Sequence, residues 1–290
     1  MNFKNIVSNV ITTIKPSKIQ GEAARHARRA YRRRFSFSNA VFAVTIIFLF
    51  LPLLVLIIYS FNGSTSMNWT GFSLRWYRRL LESRELWRAF RNSLIIAVTS
   101  AATATVIGTI GAIGVNWYKF RLRGYVQTIS FLPMILPEII IGVSLSIFFA
   151  GLGIPLGLFT IYIAHTTFNL PFVFLMVMAR LDEFDFSIIE AAHDLGATER
   201  ETMFKVTLPI CMPGILSGLL TAITLSLEDF VITFFVAGPG SSTLPVFIYS
   251  AITRKGGITP LISALSVVMI LGTVVLSIML RRFLKFIAAK

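Results

Sequence analysis

Three carboxylates stand where carboxylates are expensive. Glu138, Glu228 and Asp229 lie inside long apolar runs, and a charge near the centre of a bilayer costs on the order of 2.5–3.5 kcal/mol on insertion scales. No Lys or Arg falls within those runs, so the balancing charge must come from another chain, a proton or a cationic solute. Counted from the expected cytoplasmic ends near Gly124 and Pro213, helix rise puts Glu138 about 21 Å and Glu228 and Asp229 about 23 Å up. His165 and Asn169, on a descending run, reach the same layer. Two or three acids at one level suit a cation carrying two or three charges.

Each of these residues also has a plainer structural use. Glu138 follows Pro133 and Pro137, so it either caps a broken helix or joins the acidic layer. Glu228 and Asp229 are adjacent and would sit about 100° apart on one helix. One is expected to line the path and the other to meet a helix partner, with Asp229 the favoured path residue. His165 is either a packed, hydrogen-bonded side chain or a ligand; Asn169, near Pro171, either satisfies a freed carbonyl or lines the path. Trp69, Trp76 and Tyr77 are expected as interfacial anchors.

The elements that must carry these groups are membrane helices. The chain has 290 residues, 55% of them apolar and only 14% charged, with mean hydropathy +0.77; soluble domains hold about 25% charged residues. Six runs approach the roughly 20 apolar residues that a crossing needs. They are 40–60, 94–115, 126–150, 157–178, 213–236 and 260–280. The expected fold is therefore all-α, with six transmembrane helices and both termini cytoplasmic. Residues 1–39 carry nine Lys/Arg against the single acid Glu22 and are expected as a basic cytoplasmic tail before an uncleaved first helix. Residues 40–290 are the transmembrane domain. The inside segments hold 19 basic residues and the outside segments 8, in line with the positive-inside bias. Six of those eight are arginines in the first outer loop, 61–93. The formal charge of +14 is assigned to membrane lipid and topology rather than to nucleic acid. Cys211, the lone cysteine, is expected as a small packing residue.

The fourth-to-fifth connection, about 182–209, is an acidic island on the inside, with seven carboxylates. Two capping boxes are expected in it, Ser187 with Glu190 and Thr198 with Glu201. Gly196 lies between them at a position suited to positive φ. The pattern predicts a short helix, a glycine turn and a second short helix ending near Pro209. No G-x-x-x-x-G-K-[ST] motif or GK dipeptide occurs, so no P-loop is expected here. Gly151, Gly153 and Gly157 have the wrong spacing for a dinucleotide fingerprint and are expected in a turn.

The order Glu190-Ala191-Ala192, three residues, Gly196, nine residues, then Val206-x-Leu208-Pro209 resembles the EAA signature of ABC-importer permeases, with Val206 replacing the usual Ile. The stretch 62–77, the run Thr224 to Phe230, Gly238-Pro239-Gly240 and Thr243-Leu244-Pro245 are similar to polyamine-type permeases of spermidine/putrescine importers. Glu228 stands where those relatives tend to carry Asp, and the basic tail is longer. The resemblance implies the ABC-importer permease fold in a bacterial inner membrane, with no catalysis and no cofactor in this chain. It also implies a second homologous permease, two ATPase subunits that use ATP-Mg, and a periplasmic substrate-binding protein. Glu190, Ala191, Ala192, Gly196, Leu208 and Pro209 would couple this chain to the ATPase. The rival expectations are an importer of the same class for an opine or aminophosphonate, or an ATP-independent secondary transporter or channel.

Overall fold

The computed structural model describes residues 16–288 except 66–67, 118–119, 184, 186 and 255–258, with side chains from Phe37 to Val275 apart from the same gaps, and that of Ile278. It divides between Tyr59 and Ser60 into two units. The described part of the first unit is helical: α1, Pro16–Ser60, ends at the boundary and runs unbroken through residue 39. Between residues 16 and 39, therefore, the expected tail is helical and continuous with the span; residues 1–15 of that tail lie outside the described residues. The apolar portion Phe37–Ser60 exposes its large side chains, Phe42, Phe48 and Leu54 among them.

The second unit holds α2 (Arg75–Glu82), α3 (Arg84–Trp117), α4 (Arg123–Ile135), α5 (Glu138–Gly151), α6 (Leu158–Asp182) and α7 (Ser187–Asp194). The short α8 (Glu199–Thr202) passes through a π turn, Met203–Thr207, into α9 (Leu208–Glu228); α10 (Val231–Val236), α11 (Leu244–Arg254) and α12 (Pro260–Ala288) follow. Among the described residues the only extended pairing is an isolated bridge between Asn62 and Phe72. Among the described residues, four helices are long and apolar enough to cross a membrane, or five if the bent pair α4–α5 counts as one; α12 contributes a shorter apolar stretch, Pro260–Val275.

The core is the mutual packing of α3, α6 and α9. Ala101, Ala104, Val173, Phe174, Cys211 and Ala222 are buried together there, and Cys211 is a small packing residue as expected. Small residues let the backbones close in, the usual device where lipid offers no hydrophobic driving force between helices. A Cβ at Gly108 would come 3.0 Å from Val173 Cβ, and one at Gly218 3.1 Å from Val173 Cα. Val173 is therefore clasped between α3 and α9.

A satellite core forms under the first loop, where Trp76, Leu80, Leu86 and Ala89 meet Leu244, Ala264 and Leu265. Trp76 is only 2% exposed, its indole N–H donates to the Asn62 carbonyl at 2.7 Å, and the Arg75 guanidinium lies 4.2 Å over its ring. The expectation of Trp76 as an interfacial anchor is thus corrected. The α2 face meets α12, and amphipathic spacing alone could not say whether protein or lipid headgroups would cover it. Trp69 remains 55% exposed.

Candidate substrate path and coupling hairpin

Two of the expected continuous spans are broken, and the breaks carry the acids. The run 126–150 bends by 104° between α4 and α5. Pro137 is the cause: a proline disfavours helical backbone at the residue before it, and Leu136 is extended, with ψ 140°. Glu138 is then the first residue of α5, where a carboxylate meets the positive helix end. The run 213–236 breaks at Asp229, which has φ −62° and ψ 123°. The helix therefore ends at Glu228, and the 100° argument for the two acids does not apply.

Burial is the reverse of what the sequence led us to expect. Asp229 exposes 4% of its side chain, whereas Glu228 and Glu138 are exposed. The Asp229 carboxylate caps α10, accepting from the Ile232 N–H at 3.2 Å, the Thr233 N–H at 2.9 Å and the Thr233 hydroxyl at 2.7 Å. His165 Nε2 on α6 completes the set, 3.1 Å from Asp229 Oδ2 and 2.8 Å from Thr233 Oγ1. The other ring nitrogen, Nδ1, lies 2.6 Å from Ser226 Oγ, which is 3.4 Å from Ser100 Oγ. An unpaired buried carboxylate would be costly; these contacts commit Asp229 to holding the break. His165 falls to the packed, hydrogen-bonded reading. Asn169 is fully buried on α6, and neither end of its amide has a partner among the described residues, so it does not serve a freed carbonyl there.

The two broken helices lie side by side. α10 packs on α5, and a Cβ at Gly142 would come 2.9 Å from Phe235 Cδ2 and 3.3 Å from Ile232 Cα. Glu138 opens α5 one turn before Gly142. Sequence reasoning missed an aromatic group that begins at Phe230, the residue after Asp229. Phe230 and Tyr249 have ring centroids 4.7 Å apart, Phe234 and Tyr249 5.8 Å, and Phe230 and Phe234 5.5 Å. Phe234 and Tyr249 are large exposed aromatics. The i, i+4 spacing of Phe230 and Phe234 was a visible signal; Tyr249, on another helix, gave none. Carboxylates beside aromatic faces can hold an organic cation by ion pairing and cation–π attraction.

The turn Gly238-Pro239-Gly240 is held by contact rather than by charge. A Cβ at Gly238 would overlap the Leu156 carbonyl, and Gly238 N–H donates to Ser241 Oγ at 2.8 Å. Asn92 Nδ2 donates to the Ser242 carbonyl at 3.0 Å, tying this turn to α3.

At the opposite end of α9 stands the acidic hairpin. Gly196 has φ +84°; its N–H bonds the His193 carbonyl at 2.8 Å, and Ala197 N–H bonds that of Ala192 at 3.0 Å. These two bonds make a Schellman turn. The Thr198–Glu201 capping box forms, and Lys205 Nζ donates to Glu201 at 2.8 Å. Lys205 and the Thr198 bonds hold the Glu201 pKa down at about 2. At the first helix the expected box is displaced. Ser187 is the first helical residue, and its N–H donates to Asp185 at 3.0 Å, which lowers the Asp185 pKa. Glu190 and Ala191 are exposed, Ala192 is half-buried, and Leu195 at the tip is 89% exposed.

The second hairpin helix does not stop near Pro209, as expected. It passes through the π turn, whose closing bond runs from Leu208 N–H to the Met203 carbonyl. The wider turn accommodates a proline that would otherwise crowd the preceding carbonyls. Leu208 packs on the main core, Pro209 is exposed at the start of α9, and Glu199–Glu228 forms one continuous 30-residue helix.

Comparison with known proteins places the architecture. The chain is 39% identical over 246 residues to the spermidine/putrescine transport system permease protein PotC of Escherichia coli (strain K12), covering 84% of this chain and 91% of that one. It is 43% identical over 236 residues to the putrescine transport system permease protein PotI of the same strain, covering 78% and 83%. Among solved structures, a bacterial ABC transporter involved in the import of the acidic polysaccharide alginate superposes with TM-score 0.69 at 17% identity, covering 87% of this chain and 96% of that one; this likeness concerns the fold. Residues 104–290 match the family described as binding-protein-dependent transport system inner membrane component, and the chain belongs to that family of ABC-importer permeases.

Proposed function

We propose that this chain is a permease subunit of an ATP-driven importer of polyamines. The observation that carries the reading is the pair of broken helices, α4–α5 and α9–α10, bringing Glu138 and Glu228 to neighbouring breaks in a chain whose relatives are named for spermidine and putrescine. Discontinuous helices near mid-membrane are a recurring way for transporters to build a solute site. The exposed carboxylates Glu138 and Glu228 receive the ammonium groups, and the exposed rings of Phe234 and Tyr249 offer faces for cation–π contact. Asp229 and His165 hold the α9–α10 break in place, and Asn169 lies one turn beyond His165 along the same helix.

In this reading the chain spans the membrane six times with both termini in the cytoplasm. It pairs with a second homologous permease around one path, and two ATPase subunits hydrolyse ATP-Mg below it. A periplasmic binding protein delivers the solute. The hairpin from Glu190 to Pro209 docks on the ATPase, and its motion passes along the 30-residue helix Glu199–Glu228, about 45 Å long, to the acidic break. The chain itself carries out no catalysis.

The test is reconstitution of the whole complex in proteoliposomes, with ATP hydrolysis and uptake measured for spermidine, putrescine, an opine and an aminophosphonate. Stimulation by the polyamines is expected; stimulation by the opine or aminophosphonate alone would replace the substrate class. Uptake without an ATPase would refute the importer reading. In a Cys211→Ala background, Cys at Ser64 or Ser242 should react with impermeant thiol reagents in spheroplasts, and Cys at Ala288 should not.

A further inference from the structure

The six arginines of the first outer loop remain without a use in the reading above, and three of them share one helical face. Arg84, Arg88 and Arg91 stand at i, i+4 and i+7 on α3 and are all exposed. The opposite face of the same turns is buried: Leu86, Ala89, Asn92 and Ser93 pack inward. None of the ion pairs among the described residues involves these three arginines, although exposed Glu85 lies one turn before Arg88. Trp87, half of it exposed, projects from the same surface with its indole N–H fixed on the Leu81 carbonyl at 3.0 Å and its ring edge-on to Phe90, centroids 5.8 Å apart.

This face continues along α3 as an apolar stripe. Leu94, Ile95, Val98, Val106 and Ile110 are exposed in register below the arginines, on a helix long enough to span. Arg91 and Arg88 lie about 5 and 9 Å beyond Leu94 along the axis, at the level of a headgroup layer about 5–8 Å deep on each side of the hydrocarbon. Arg84 is farther out, and its long stem can reach back. Guanidinium groups pair with phosphate through paired N–H donors, and Trp is enriched at that same depth. Basic clusters at a membrane surface also attract anionic lipid. The positive charge on the nominally outer side, which runs against the usual bias, then has a counterpart.

We propose that Arg84, Arg88 and Arg91, with Trp87 and Phe90 between them, form a seat for the headgroup of an anionic phospholipid in the leaflet bordering the 61–93 loop. The seat does not depend on which solute is carried. Trp87 is a built-in reporter for it. The whole complex is reconstituted in phosphatidylethanolamine bilayers holding a small, equal fraction of acyl-brominated phosphatidylglycerol or phosphatidylcholine. The Trp87 contribution is isolated as the difference between wild type and Trp87→Phe. Brominated phosphatidylglycerol is expected to quench it at least twofold more than brominated phosphatidylcholine. That preference should shrink in high salt, vanish in the triple R84Q/R88Q/R91Q variant and persist in the triple R84K/R88K/R91K variant. Equal quenching by the two lipids, a preference unchanged in the Gln variant or insensitive to salt, or no Trp87-dependent quenching at all would overturn the proposal. If instead wild type shows no lipid preference and the Gln variant loses affinity for the soluble binding protein, the patch is a protein dock and the lipid seat falls. Should the Gln variant fail to assemble, the salt series on wild type and the Lys variant decide.

Discussion

His165 Nε2 lies 3.1 Å from the Asp229 carboxylate, and neither side chain is more than 4% exposed. This pair joins α6 to the point where α9 ends and α10 begins. Breaking a buried pair by removing one partner costs about 3–5 kcal/mol, while Asn keeps the acceptor that caps α10. Asp229→Ala should therefore lower the melting temperature of the purified complex far more than Asp229→Asn. Asp229→Ala combined with His165→Ala should cost less than the sum of the single changes. Additive losses would remove the latch.

The exposed acids should behave differently. Glu138→Gln and Glu228→Gln are each expected to cut polyamine uptake severalfold in proteoliposomes while leaving the amount of assembled complex unchanged, and Asp229→Asn should cut it less. Unchanged polycation flux in the double Glu138→Gln, Glu228→Gln variant would end the electrostatic account of the path.

Phe234 and Tyr249 contribute about 0.5–1 kcal/mol each if an ammonium group passes over exposed rings. Leu at either position is expected to raise the half-saturating polyamine concentration about twofold to fivefold. A lower maximal rate with unchanged half-saturation would assign the rings to packing instead.

At the hairpin, Gly196 has φ +84°, and a β-branched residue is strained there by roughly 1–2 kcal/mol. Gly196→Val and Glu190→Arg should both abolish uptake and release the ATPase from the purified complex while insertion persists. The Glu201 carboxyl, held down to about 2, stabilises the folded hairpin wherever it is ionised, because its ionised form is favoured more in the hairpin than in the unfolded chain. Its contribution is complete at pH 7, fades only below about 4.5 and is lost as pH approaches 2. Exchange protection of the Glu201 amide, corrected for intrinsic rate, should accordingly hold from pH 7 to 5; loss across that range would contradict the cap.

The Gly238 turn makes a steric prediction. A methyl group there meets the Leu156 carbonyl, which is backbone and cannot rotate away, and overpacking typically costs 1–3 kcal/mol or more. Gly238→Ala should reduce assembled complex and its melting temperature, whereas Gly151→Ala, with nothing within 4 Å of its Cβ, should not.

Local chemistry made the helices, the glycine turn and the Thr198–Glu201 box legible in the sequence, because each depends on residues within a few positions of one another. Apolar length marked the spans for the same reason, and the EAA-type spacing marked the hairpin. The two helix breaks were only half visible: Pro137 signals the first, but nothing local to Asp229 announces the second, which exists because His165, 64 residues away, supplies a partner for a carboxylate turned inward. The difference in burial between Glu228 and Asp229 depended on that same contact, which a continuous-helix argument could not see. Tyr249 met Phe230 and Phe234, and Trp76 was buried, only once α11 and α12 had packed. Sequence determined which residues are costly to bury; tertiary packing decided which of them found partners and which were left facing outward.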